Sequence, residues 1–229
     1  MFRAAGIKTW ILSGDKVQTI QCIALSSRLI DGKKTKFHVI EGYQDFEKAM
    51  EELRRVKSNE CLVIDGQSLQ TLLGSRAFDY YNTQELVSDQ PERLKQLSGF
   101  KRFMRKFSNW ARVYFTGRIR SDLGDSARNE FAEITSKLQS VCCCRCSPDQ
   151  KALICKLISN YTQEETAGVG DGANDVSLLQ AASVGFGIFG KEGVQAAMAS
   201  DFAIGGFSDL QQLLFWHGRN AYKNTVECS

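Results

Sequence analysis

The sequence predicts an α/β fold, a parallel β-sheet with helices on both faces and a ligand site at the carboxyl ends of its strands. Three observations predict it. Short apolar runs of strand length recur at Ile7 to Leu12, Cys61 to Ile64, Val141 to Cys146, and in the small and apolar residues from Ala167. Each run ends in a polar turn: Ser13-Gly14-Asp15-Lys16, Asp65-Gly66, Ser147-Pro148-Asp149-Gln150, and Gly170-Asp171-Gly172-Ala173-Asn174-Asp175. Stretches of helical periodicity follow the turns.

Composition sets the outer bounds. A chain of 229 residues fits one large or two small domains. Hydrophobic residues make up 43% of it, enough for a sizeable core. The formal net charge of +3 is too small to imply nucleic acid. The start, MFRAAGIKTWILSGDK, has too short an apolar run for a secretory signal. No stretch reaches the roughly 18 to 20 apolar residues that span a bilayer. The expectation is a soluble chain whose eight cysteines are reduced thiols of a cytosolic domain.

Taken in order, Arg3-Ala4-Ala5-Gly6 reads as the tail of a helix and Ile7 to Leu12 as the first strand. A hydroxyl and backbone N–H groups at the Ser13-Gly14-Asp15 turn can hold a phosphate oxygen. A plain turn with a capping serine accounts for the same residues equally well. Gln18 to Ile30 has helical spacing, with Ile20, Ile23, Ala24 and Leu29 inward. Phe37 to Ile40 is a further short strand. Asp45 to Ser58 is an amphipathic helix with Phe46, Met50, Leu53 and Val56 along its core stripe. Cys61 to Ile64 is a strand, and Asp65 after it reads as a turn or capping residue.

Residues 74–130 differ in character. Between Pro91 and Arg120 stand Arg93, Lys95, Lys101, Arg102, Arg105, Lys106, Arg112, Arg118 and Arg120 against Glu92 alone. Phe100, Phe103, Phe107, Trp110 and Tyr114 alternate by three and four, which puts the aromatics on one helical face. Such a helix suits an anionic membrane surface or a calmodulin-like partner. It equally suits packing on its own domain with the cations solvated. Nothing else in the chain supports nucleic acid.

Phe131 to Leu138 reads as a helix and Val141 to Cys146 as the next strand. Strand alternation puts Cys142, Cys144 and Cys146 on one side and Cys143 on the other. With His38 and His217 as the only histidines, buried thiols are favoured over a metal site. Ser147, Pro148 and Gln150 form a capping box at a helix start, and Leu153, Ile154, Leu157 and Ile158 form the buried stripe. Lys151 lies in the first turn, off that stripe, where a cation opposes the helix dipole. It fits either an anionic partner or an exposed lysine on a well-capped helix.

In the next turn, Asp171 and Asp175 place two carboxylates together with Asn174 between them. Hard oxygen ligands of this kind suit Mg²⁺; the alternative is an acidic surface turn. Gly193 to Ala199 reads as a helix, Phe202 to Ile204 as a strand, and Asp209 to Tyr222 as a closing helix.

GDGANDVSLLQAASVGFGI resembles the hinge motif of P-type ATPases in the form carried by their phospholipid-flippase branch. AGIKTWILSGDKVQT is similar to the family stretch around Thr-Gly-Asp, with Ser13 in place of the threonine. CLVIDGQSL, CCCRCSPDQKA, KEGVQAAMASDFAI and LLFWHGRNAY also resemble flippase sequence. The motifs leave out the basic insert. The resemblance implies a haloacid-dehalogenase-like, Rossmann-like sheet and a phosphorylation domain that works with ATP and Mg²⁺ through an aspartyl-phosphate. It assigns the phosphoryl group to Ser13 and Lys151, with Gly14 and Asp15 beside it. It assigns Mg²⁺ to Asp171 with Asp175 in support, and a phosphate bond to Asn174.

The same resemblance implies a phospholipid moved between leaflets by membrane spans that this sequence does not contain, an accessory subunit of the parent protein, and a cytosolic position on an integral membrane protein. No Asp-Lys-Thr-Gly-Thr motif occurs. The chain is therefore expected to be the C-terminal part of the phosphorylation domain, 1–73 and 131–229, around the 74–130 insert. In the superfamily's sheet the nucleophile strand lies between the strand ending at Ser13 and the one ending at Gly170; without it those two strands would be left with unpaired facing edges, so the gap is expected to close by non-family pairing or to be filled by another segment.

Overall fold

The computed structural model describes residues 2–32, 35–74, 123–190 and 194–227. The aromatic basic helix expected over Phe100 to Phe115 lies outside the described residues. In chain order the first group of elements is β1 (Thr9–Leu12), α1 (Val17–Ser26), β2 (Phe37–Ile40), α2 (Phe46–Arg54), β3 (Cys61–Asp65), α3 (Gly66–Leu73), α4 (Leu123–Lys137), β4 (Ser140–Cys144) and α5 (Pro148–Thr162). The second group is β5 (Ala167–Gly170), α6 (Val176–Ala181), β6 (Val184–Ile188), α7 (Gln195–Ala199) and β7 (Phe202–Ile204). The closing segment is α8 (Asp209–Gln212), a π-helical stretch Leu213–Gly218, and α9 (Arg219–Glu227).

The strands form two sheets, ordered β1-β4-β3-β2 and β5-β6-β7, and every pairing is parallel. Parallel pairing needs crossover helices, and each sheet has them. Alternation along β3 and β4 sorts the core of the first sheet. Leu62, Ile64, Val141 and Cys143 face Met50, Leu53, Leu72, Phe131 and Ile154 of α2, α3, α4 and α5. Cys61, Val63, Cys142 and Cys144 face Val17, Ile20 and Ala24 of α1. Helices therefore cover both faces, as the alternation of strand and helix patterns predicts. The second sheet is built on Phe186, Ile204 and Leu210, with Phe2, Val169 and Leu213 packed against them.

Several local expectations need correction. α1 ends at Ser26, and Ile23 is 39% exposed. It lies at the margin of the helical arc centred on Ile20 and Ala24, the buried residues of α1 with Val17. Phe46 opens α2 and is also exposed, while Met50 and Leu53 are buried. The helix expected from Phe131 begins at Leu123. The cysteine pattern changes most: Cys146 shares the face of Cys143, not that of Cys142 and Cys144. β4 stops at Cys144, and Arg145 has a φ of 50°, so the left-handed residue reverses the alternation beyond it.

Among the described residues, β1 pairs only with β4 and β5 only with β6. The strands ending at Ser13 and Gly170 thus each keep an edge with no strand partner among the described residues, and the expected closing of the gap by non-family pairing is not seen there.

Candidate functional site

Polar turns gather at the carboxyl ends of β1, β3, β4 and β5. The turn after β1 is bolted to the end of β4. The N–H of Ser13 donates to the carbonyl of Cys143 at 2.9 Å, and that of Cys146 donates to the carbonyl of Ser13 at 3.0 Å. Within the turn, Ser13 Oγ donates to Asp15 Oδ2 at 2.9 Å and accepts from the N–H of Asp15 at 3.2 Å. Gly14 and Asp15 are exposed.

The turn after β4 starts α5 with the predicted capping box. Ser147 Oγ accepts from the N–H of Gln150 at 3.3 Å, and Gln150 Oε1 accepts from the N–H of Ser147 at 3.0 Å. The other end of the Gln150 amide donates to the carbonyl of Gly66 at 2.8 Å, tying this turn to the one after β3. There Asp65 is a cap, as read from the sequence: its Oδ1 accepts from the N–H of Ser68 at 2.9 Å.

Lys151 lies off the apolar stripe of α5 but is not exposed: only 6% of its surface is accessible. Its Nζ donates to Asp175 Oδ1 at 2.7 Å, and the two side chains are 8% and 17% exposed. Gly170 makes this pair sterically feasible, since a Cβ there would stand 2.3 Å from Asp175 Cβ. Asp171 and Asn174, on the same turn, are exposed. The structure therefore joins Lys151 to Asp175 across two turns and Ser13 to Asp15 within one, and leaves Asp171 and Asn174 open to a ligand.

Among the described residues, no group of three or more His, Cys, Asp or Glu side chains is placed to hold a metal ion. Mg²⁺ does not need one. It is commonly held by one or two carboxylates and completed by water and phosphate oxygens. Asp171 fits that use. One oxygen of Asp175 is already committed to Lys151.

The cysteines stay apart from this chemistry. A hydrogen bond with Cys61, then burial, pushes the Cys142 thiol up. A hydrogen bond with Cys146, then burial, does the same for Cys143. Burial, with the nearby Asp65 carboxylate, pushes Cys144 up to about 12. Cys143 and Cys146 stand at Cys-x-x-Cys spacing, yet both are free thiols buried in the core.

Arg145 was not singled out in the sequence. Its signal there is faint, a lone cation inside the apolar run CCCRC.

Comparison with known proteins adds the family. A family profile described as phospholipid-translocating P-type ATPase C-terminal matches residues 197–229. The phospholipid-transporting ATPase neo1 of Schizosaccharomyces pombe is 36% identical over 227 residues, 98% of this chain and 17% of that protein. The chain belongs to the phospholipid-transporting P-type ATPases. A probable phospholipid-transporting ATPase IIB of Danio rerio is 36% identical over 99% of the chain and 16% of its own length. The phospholipid-transporting ATPase NEO1 of Saccharomyces cerevisiae is 34% identical over 99% of the chain and 15% of its own length. The chain thus spans about a sixth of the flippase relatives it matches. The matched span includes residues 74–130, which the motif-by-motif resemblance had left out.

Proposed function

We propose that this chain supplies the phosphate- and magnesium-facing side of the phosphorylation domain of an ATP-driven phospholipid flippase. The observation that carries the proposal is the Lys151–Asp175 pair of 2.7 Å at the ends of β4 and β5, beside the exposed Asp171 and Asn174. A lysine held in place by a carboxylate at a strand-end turn is oriented before a phosphate arrives. Preorganised charge of this kind is how phosphoryl transfer is stabilised.

In this reading Lys151 and the Ser13 hydroxyl hold the phosphoryl group, with Gly14 and Asp15 shaping the turn around it. Asn174 donates to a phosphate oxygen. Asp175 keeps the Lys151 ammonium aimed and contributes its other oxygen to the metal side. Mg²⁺ bound at Asp171 would neutralise charge on the phosphate oxygens. The nucleophile of the aspartyl-phosphate step is assigned outside these residues, which contain no Asp-Lys-Thr-Gly-Thr motif. Residues 1–73 and 131–229 form the domain in this proposal and 74–130 its insertion. In this proposal the domain lies on the cytosolic side of the membrane, as its resemblance to the flippase family implies; no helix among the described residues is long and apolar enough to cross a membrane. The isolated chain hydrolyses neither ATP nor phosphate esters.

The test is Asp171→Asn in a full-length protein carrying this sequence, with trapping of the phosphoenzyme from ATP. Loss of phosphoenzyme is expected, because several kcal/mol of charge stabilisation go with the metal ligand. Phosphoenzyme at the unmodified level would sink the assignment.

A further inference from the structure

Gln150 holds more partners than a helix cap needs. A capping box asks only that the third residue of the helix accept from the N–H of the cap residue, and Glu or Gln serves equally. Gln150 Oε1 does this, accepting from the N–H of Ser147 at 3.0 Å. Its other end, Nε2, donates to the carbonyl of Gly66 at 2.8 Å, a buried bond to the first residue of α3. An amide can do both. A carboxylate has no N–H to give and would set an oxygen against the Gly66 carbonyl. Gly66 is shaped for the contact. A Cβ there would stand 2.4 Å from the carbonyl oxygen of Arg145 and 2.6 Å from Gln150 Oε1, so a side chain would push the two turns apart.

This bond completes a two-sided clamp on the turn that carries Lys151. On the β1 side, the N–H groups of Arg145 and Cys146 donate to the carbonyls of Asp15 and Ser13 at 2.9 and 3.0 Å. On the β3 side, the Gln150 amide crosses to Gly66. The residue before Gly66 is itself fixed: Asp65 is buried, and its carboxylate accepts from the N–H of Ser68 at 2.9 Å and from that of Gly42 at 3.3 Å. The Ser147 hydroxyl, by contrast, closes within its own turn, on the N–H of Gln150. Lys151 is the next residue along the helix, and its Nζ reaches Asp175 Oδ1 at 2.7 Å. A lysine ammonium rides on a flexible four-carbon stem. Its aim depends on where the turn beneath it is held.

We infer that Gln150 is a positioning residue: with the bare Gly66 opposite it, its amide sets the place of the first turn of α5 and so the aim of Lys151. The inference rests on the phosphoryl-holding role proposed for Lys151 and adds what keeps that lysine in register. A displacement of about 1 Å at a reacting centre costs up to about a hundredfold in rate. A lost helix cap costs stability. The two effects are separable by experiment.

The test is the rate of phosphoenzyme formation across a range of ATP concentrations, in a full-length protein carrying this sequence, with thermal melting of each variant. Gln150→Met, close in size but without the amide, is expected to lower the maximal rate about ten- to a hundredfold and to leave the half-saturating ATP concentration within about twofold. Gly66→Ala acts from the other side of the contact and is expected to do the same. Ser147→Ala removes the hydroxyl cap and keeps the bond to Gly66. It is expected to lower Tm and to leave the maximal rate within about twofold. Should Gly66→Ala fail to fold, Gln150→Met set against Ser147→Ala decides. An unmodified maximal rate in folded Gln150→Met, a raised half-saturating ATP concentration in place of a slower rate, or equal slowing in Ser147→Ala overturns the inference. If Lys151→Met is slowed while Gln150→Met is not, the phosphoryl role of Lys151 stands and this inference alone falls. Lys151→Met at the unmodified rate overturns both.

Discussion

Replacing Lys151 by Met is the most direct perturbation of the site. From the sequence, a lysine off the apolar stripe is dispensable for stability. In the structure it is not, since its ammonium is the partner of Asp175 Oδ1 at 2.7 Å, with the two side chains only 8% and 17% exposed. Removing one member of a buried pair strands the other charge, and such losses run to about 3–5 kcal/mol. Asp175 keeps some contact with solvent, so the low end applies, about 3 kcal/mol. For a protein of this size each kcal/mol lowers Tm by about 2–4 °C, a drop of about 6–12 °C in all. The assay is thermal melting followed by circular dichroism, repeated with Lys151→Met/Asp175→Asn. The double variant removes the stranded charge and is expected to recover most of the loss, giving a coupling well above 0.5 kcal/mol. A Lys151→Met protein that melts with the unmodified chain, or a double variant that loses the sum of the two single effects, would refute the reasoning.

Two other outcomes follow from the same structure. Glu130 accepts from Arg54 at 2.6 and 3.0 Å, and that hydrogen bond holds its carboxyl below the usual 4.5. A lowered carboxyl contributes stability above its unfolded value and loses it as pH falls through the folded value. Acid unfolding of Glu130→Gln, followed by fluorescence below about pH 5, should therefore have a shallower pH dependence than that of the unmodified chain. Cys22 is exposed, whereas Cys61, Cys142, Cys143 and Cys144 are buried. Iodoacetamide at pH 8 should alkylate Cys22 in the folded chain and reach the strand thiols only after denaturation, as peptide mapping by mass spectrometry would show.

The elements that were legible in the sequence are those whose pattern is local. The capping box at Ser147 and Gln150 needs only residues three apart, and it forms as read. The strand over Cys61 to Ile64 and the cap at Asp65 were also evident, because an apolar run and an Asp-Gly turn lie side by side in the chain. The motif order SGD, SPDQK and GDGANDV pointed to the family, and the matched relatives agree. Periodicity was less reliable at its margins. Ile23 and Phe46 fit the helical stripes, yet both are exposed, because how far a stripe is covered depends on the width of the layer beneath it.

By itself, the sequence determined the alternation of strand and helix, the polar turn after each strand, and the identities of Ser13, Lys151, Asp171, Asn174 and Asp175. Tertiary structure decided which of these meet. Lys151 and Asp175 are 24 residues apart and belong to turns after different strands; only the packing of α5 against the β5–α6 turn, with no Cβ at Gly170, brings them to 2.7 Å. Arg145 and Glu41 are 104 residues apart and meet because β2 and β4 flank β3 in one parallel sheet, which brings their carboxyl ends to the same edge. A local pattern can show that a charge stands at the end of a strand, but its partner depends on strand order, which is set by burial across the whole sheet.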